Sequence, residues 1–517
     1  MQNLKGKLMD NFIVSKYTVI AVFLIFVLFI IIIALSFFRK TKSAEGYILG
    51  SRETGGFTAG LSSAVGDFGG WIFAVIPCVA FSSVSGAKTS IYMSAGIAAG
   101  MFLCWTLIAG RLRVYSELSG NSMTIPSFLE NRFKDKSGAL RIASSSALVL
   151  FSVMYASFML YAGAQMFMRF FNFSLSVALF ICVSICVVSL FLGGHPGSCH
   201  NNVLLSILIS AALIFMPVFI FQSFDFNRAA AFGKESESIL NLLPVSFLDT
   251  EPGNISLSGI LSSLSWILAC FGMPFTLNSF MSLKSRREVR KARSSGVIWL
   301  IACLTGVVFA AIMMRRYIPV TENSFILSDT LNLFGDTMFK TIIFSAAVLA
   351  FIASASANIS VCVNTLSYDI FPKLSGGLSR RDDVRTFRGS IILVCALVYV
   401  FAAAQDKTIL ELSAHAYSGF GAAFGPVILL SLYTRRITAK GAVGSVITGT
   451  LTVILFQYIL SPRFGGVFNI SELTAGFVLS ALALIIISAL DSKKADKYIL
   501  DEFGRMEAIM KCRGQFR

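Results

Sequence analysis

An acid set deep in apolar sequence is the first residue of this chain that asks for a chemical reason. Residues 63–77 read Ser63-Ala-Val-Gly-Asp-Phe-Gly-Gly-Trp-Ile-Phe-Ala-Val-Ile-Pro77, inside a run long enough to cross a bilayer. Asp67 is the one Asp or Glu well inside a spanning run. A charge at that depth costs at least ~2.5–3.5 kcal/mol on insertion scales. Gly69 and Gly70 weaken a helix there and Pro77 removes one of its backbone bonds. Carbonyls freed at membrane depth persist only against protein or a cavity. The stretch therefore predicts a discontinuous helix lining a binding site; a kinked helix whose acid faces water near one end is the competing reading. Trp266-Ile-Leu-Ala-Cys-Phe-Gly-Met-Pro274 is a second run interrupted by Gly and Pro at mid-depth.

The elements that must hold these residues are membrane helices. Of 517 residues, 56% are apolar and 14% charged, with a mean hydropathy of +0.77. Several apolar runs exceed the ~18 residues needed to span hydrocarbon. About thirteen spans are expected, at 17–38, 58–81, 89–109, 143–170, 174–193, 203–222, 258–280, 296–314, 340–368, 389–405, 409–432, 442–461 and 470–490. Longer connections fall near 110–142, 223–257 and 315–339. The second interrupted span begins five spans after the first. Interrupted helices in corresponding positions of two halves point to an inverted-repeat transporter. The chain is thus read as one all-α transmembrane domain over 1–517: an extra helix at 17–38, repeats at 58–222 and 258–432, two C-terminal helices within 442–490, and a tail at 491–517.

The charge of +16 (43 basic, 27 acidic) sits in alternate loops. Among them are Arg39-Lys40-Thr-Lys42, Arg111 with Arg113, the run from Lys284 to Arg293, Arg380-Arg381, Arg435-Arg436 and the tail from Lys493. That alternation is a topology signal. It places the C-terminus in the cytoplasm and the N-terminus outside a cell membrane, and it makes nucleic acid an unneeded partner. Eight of the ten cysteines lie in apolar segments, without metal spacing, and read as small core residues. No Ser/His/Asp set, phosphate loop or metal constellation points to an enzyme.

Four runs carry a family resemblance: Ser62–Pro77; Ala109-Gly-Arg-Leu-Arg-Val-Tyr-Ser-Glu117 with Ile125-Pro-Ser-Phe-Leu-Glu-Asn-Arg-Phe133; Trp266–Pro274; and Tyr417-Ser-Gly-Phe-Gly-Ala-Ala-Phe-Gly-Pro426. Over nearly its whole length the chain resembles the sodium/solute symporter family. The resemblance implies ten core helices in two inverted five-helix repeats, with broken first helices. It implies a sodium ion held by the Val65 and Phe68 carbonyls, the Ala350 carbonyl and the Ser354 hydroxyl. Ala353 stands where relatives have a second hydroxyl, and Asn202 where they have an acid linked to sodium handling. Gly66 and Gly69 stand where relatives have serines. Asp67 is expected to order the broken helix rather than to ligate. The implied substrate residues are Trp71, Tyr155, Trp266, Cys270 and Pro274, with Cys270 replacing a tyrosine of relatives. From the residues alone, Ser354 and Ser356 also fit helix packing, and the two tryptophans also fit an interfacial belt.

The function so implied is cation-coupled symport of a small organic solute, proline or a similar amino acid, by alternating access, with sodium as the ion. The lost oxygens leave a proton-coupled or uncoupled carrier as an alternative; for a proton, His195 and His200 are candidates. A membrane sensor on the same fold is the other alternative. Lipid and solute are the expected partners, and the expected state is a monomer or weak oligomer.

Overall fold

The structure is a computed structural model that describes residues 16–81, 86–223, 257–314, 338–374, 384–404, 409–460, 471–491 and 497–511. The secondary structure of these residues is helical apart from one isolated bridge, Thr54 with Leu283. In order, and leaving aside the short turns Ala44–Leu49 and Phe371–Leu374, the helices are α1 Lys16–Phe37, α2 Gly56–Phe81, α3 Gly86–Cys104, α4 Gly110–Leu118, α5 Ile125–Phe133, α6 Ala139–Phe171 and α7 Leu175–Ser223. There follow α8 Leu257–Leu264, α9 Trp266–Ala269, α10 Pro274–Ser282, α11 Glu288–Met314, α12 Met338–Thr365 and α13 Val384–Ala403. The last four are α14 Ile409–Tyr433, α15 Ala439–Leu455, α16 Glu472–Leu490 and α17 Lys497–Lys511.

Twelve described segments are long and apolar enough to cross a membrane. One of them, Leu175–Ile220, has 46 residues, or ~69 Å of helix, more than twice the hydrocarbon thickness. It breaks at Gly194 (φ 54°, ψ −153°). Counted as two arms, it brings the total to the thirteen crossings expected. The sequence placed a connection between those arms. Instead the chain resumes its helix at once, because Pro196 falls in the first turn of the second arm, where a missing N–H costs nothing. His195 and His200 are therefore helical residues, not loop ones.

Burial sorts the helices. The spanning window of α2 is 100% buried and that of α12 94%, against 28% for α1 and 22% for α16. A helix apolar all round is a buried one, and α2 is packed by α3, α7, α10, α11, α12 and α14. Between α9 and α10 the chain leaves the helix at residues 270–273, so the second interruption is where the sequence put it. The first is not a gap. α2 is helical from Gly56 through Phe81. Its glycines serve close approach instead: a Cβ on Gly66 would lie 2.5 Å from the Phe275 ring, and one on Gly70 2.6 Å from the Met159 sulfur.

Two stretches read only as a long connection and a tail contain helices. The connection near 110–142 contains α4 and α5, and the tail contains α17. The connections near 223–257 and 315–339 fall almost wholly outside the described residues.

Candidate functional site

Asp67 reaches across from α2 to the second half of the interrupted segment. Its carboxylate accepts the Thr276 backbone N–H at 3.0 Å and the Thr276 hydroxyl. Thr276 is the third residue of α10, whose own N-cap, Met273, offers no side-chain bond. Asp67 supplies that missing cap from another helix, with its negative charge at the positive end of the α10 dipole. The helix that carries Asp67 is itself continuous, and the contact falls on the start of α10.

One turn around Asp67, α2 meets α12. The Ser354 hydroxyl donates to the Val65 carbonyl at 3.2 Å and accepts the Gly70 amide at 3.0 Å. Two of the four oxygens assigned to sodium are therefore adjacent. A hard cation takes oxygen ligands, and this pair suits one. Ala350, Ala353 and Phe68 are buried in the same helices. The Phe68 ring lies 5.9 Å from that of Tyr417. Asn202, on the second arm of α7, donates to the Ser62 carbonyl at 3.1 Å, so it touches α2 three residues before Val65.

On the other side of Asp67 stand the rings. Trp71 and Trp266 are 4.6 Å apart between centroids, which removes them from any interfacial belt. Tyr417 completes the group, 4.9 Å from Trp71 and 5.1 Å from Tyr155. The Trp71 indole N–H is buried without a hydrogen-bond partner among the described residues, a donor that a solute carboxylate would satisfy. Pro274 starts α10. Cys270 faces elsewhere: its thiol lies 3.7 Å from the Ile97 carbonyl of α3. His195 is buried, 3.2 Å from Asn278 on α10 and 3.4 Å from the Cys199 sulfur. His200 contacts the Pro196 carbonyl and the Phe37 ring.

Tyr417 and Thr276 were not among the expected site residues. Tyr417 stands first in one of the runs that carried the resemblance, which was the one available signal. Thr276 had none.

The chain is similar along most of its length to characterised transporters. It is 28% identical over 500 residues to a sodium/proline symporter of Haemophilus influenzae, covering 95% of this chain and 97% of that one. It is 29% identical to the Escherichia coli sodium/proline symporter, covering 90% and 92%. Among solved structures, a sodium-coupled sialic acid symporter in a substrate-bound outward-open state superposes with a TM-score of 0.72 at 16% identity, covering 93% of this chain and 99% of that one. Mhp1, a nucleobase-cation-symport-1 family transporter, gives 0.53 at 15% identity, covering 88% and 97%. The architecture is therefore the inverted five-plus-five helix fold of such transporters, in a multi-pass membrane protein. A profile of the sodium:solute symporter family matches residues 47–449, and the chain belongs to that family.

Proposed function

We propose that this protein couples a sodium gradient to the uptake of a small zwitterionic amino acid, with proline as the first candidate, by alternating access. One observation carries the reading. Within two turns, α2 offers the Val65 carbonyl to the Ser354 hydroxyl of α12 and faces a ring cluster in which the Trp71 indole N–H has no hydrogen-bond partner among the described residues. The relatives named sodium/proline symporters support the choice of solute. Sodium would be held by the carbonyls of Val65, Phe68 and Ala350 and by Ser354, and it would supply a positive charge that favours one state of the carrier. The chain's own residues do the rest. Trp71, Trp266, Tyr155 and Tyr417 exclude water from an apolar solute ring. The Trp71 N–H and the N-terminus of α10, begun by Pro274, suit its carboxylate.

Asp67 on Thr276 ties the continuous α2 to the second half of the interrupted segment, so the two elements move as one body. The moving body belongs to repeats at 58–222 and 258–432. The extra helices at 17–38 and 442–490 lie outside those repeats, with bare apolar faces toward lipid. We place the basic face, with Arg111, Arg132, Arg286, Arg435 and α17, in the cytoplasm of a cell whose plasma membrane holds the protein as a monomer or weak oligomer. A second reading, proton coupling, draws on Asn202 in place of an acid and on the buried His195.

The experiment is uptake of labelled proline into proteoliposomes under an inward sodium gradient, an inward proton gradient, or neither. Accumulation under sodium alone is expected. Accumulation under protons alone replaces sodium by the second reading, and no accumulation in any arm removes proline as the solute.

A further inference from the structure

The cation position and the ring cluster share one peptide unit. Within a turn of it, Val65 and Gly70 bracket the Ser354 hydroxyl. At its centre, the Asp67 carbonyl accepts the Tyr155 hydroxyl of α6 at 2.7 Å and also the Tyr417 hydroxyl of α14. A carbonyl oxygen has two lone pairs, and helix α2 uses one of them. Two phenols therefore share one remaining site. Their own oxygens are 3.1 Å apart, and either can donate to the other. The arrangement has two settings, in which one phenol holds the carbonyl and the other holds its partner phenol.

Only one of the two phenols is tied directly to both tryptophans. The Tyr417 ring lies 4.9 Å from Trp71 and 5.9 Å from Trp266, and its side chain is buried. A solute entering between the tryptophans must shift that ring, and the hydroxyl goes with it. The carbonyl then passes to Tyr155 alone. That change falls two residues from Val65 and three from Gly70, where α2 grips Ser354.

We propose that Tyr417 is the positioning residue that couples occupancy of the ring cluster to the cation position, through the Asp67 carbonyl. The proposal rests on the reading that a cation and a solute bind on these two sides of α2. It adds the group that makes each sense the other.

The test uses the full chain, purified in lipid nanodiscs. Proline binding is measured by titration calorimetry in sodium chloride and in potassium chloride, and sodium alone is titrated against indole emission. Coupled sites typically differ ~5–150-fold in affinity. In the wild type, sodium should tighten proline binding by about fivefold or more. Tyr417→Phe keeps the ring and loses the donor. Because Tyr417 belongs to the ring cluster, the variant should bind proline more weakly in both salts, while its sodium effect, the ratio of affinities between the two salts, falls below about twofold. Tyr155→Phe should keep most of the effect. Tyr417→Trp, which retains a ring and an N–H, should restore it and serves as the test if the Phe variant does not fold.

A Tyr417→Phe protein with the full sodium effect overturns the proposal, as does one that binds no proline in either salt. If the wild type itself binds no proline, the proline reading fails and the sodium titration decides the coupling. A sodium-induced emission change in the wild type that Tyr417→Phe loses supports it; a change that persists, or none in the wild type, overturns it.

Discussion

Asp67 shows what a buried acid can do without being a ligand. It meets the backbone N–H of Thr276, a residue 209 positions away. Asp67→Ala leaves that amide unpaired in a buried site, at ~1–3 kcal/mol. Asp67→Asn keeps an acceptor and loses the charge at the helix end, at ~0.3–2 kcal/mol. Thermal melting should rank them wild type, Asn, Ala, and both should transport more slowly. An Asn variant with normal transport and unchanged ion dependence would refute the role. Trp266→Ala removes the ring packed at a tilt against Trp71; it should raise the apparent KM about tenfold, a loss near 1.4 kcal/mol, with surface expression nearly unchanged. Equal losses in both would mark Trp266 as a folding residue. The acid was legible because a charge in an apolar run demands a partner. The partner was not, since nothing in the periodicity of α2 says that residue 276 will face it.

The helices repeat this pattern of readable cause and unreadable neighbour. At Gly194 the sequence signalled a turn and the structure has one, but the turn is a single residue. Its φ of 54° and ψ of −153° belong to a region that residues with a side chain almost never occupy. A Cβ there would also stand 3.0 Å from the Tyr47 ring. Gly194→Ala should cost ~1–3 kcal/mol, seen as a lower melting temperature at unchanged sodium affinity. The start of α6 has a comparable device. Its N-cap, Gly138, offers no side chain, and Asp135 takes the Leu140 amide at 2.9 Å instead. Burial alone would raise the Asp135 carboxyl. Bonds from Ser137 and from the Leu140 and Ser137 amides outweigh it and hold the group below its ordinary value. A depressed carboxyl stabilises above its unfolded pKa, near about 3.9, and that contribution fades as pH falls through the lower folded value. Melting curves of Asp135→Asn and wild type should therefore differ at neutral pH and down to about pH 4, and converge below it.

At the scale of the whole molecule, helix number, membrane class and the second interruption could all be read from the sequence. The face that α17 covers could not, although part of its signal was present. Ile499, Phe503, Met506 and Met510 recur at helical spacing in what was taken for a plain tail. Phe503 and Met506 are buried against the body. Lys134 pairs with Glu502 at 2.7 Å, Arg435 pairs with Glu507, and Arg286 donates to the Ile509 and Met510 carbonyls. Phe503→Ala should release α17, and limited trypsin should then cut near its lysines well before the spans are attacked. Equal cutting rates in the two proteins would show that the contact holds nothing.

The arginines of that face have a consequence for how the protein can be altered. Arg52 donates to the Met281 and Ser122 carbonyls, Arg113 to Leu283, and Arg132 to Ser431 and Thr434. Burial, and then the neighbouring Arg113, lower Arg52 to about 10, which leaves it charged at neutral pH. Insertion machinery counts only charge, and a lysine satisfies that count. The finished fold uses the planar fork, which a lysine does not reproduce. Arg132→Lys should therefore thread into the membrane in the native orientation and then hold the end of α14 poorly. Each of these residues is interpreted twice, first as a sign while the chain is being placed, and afterwards as a shape.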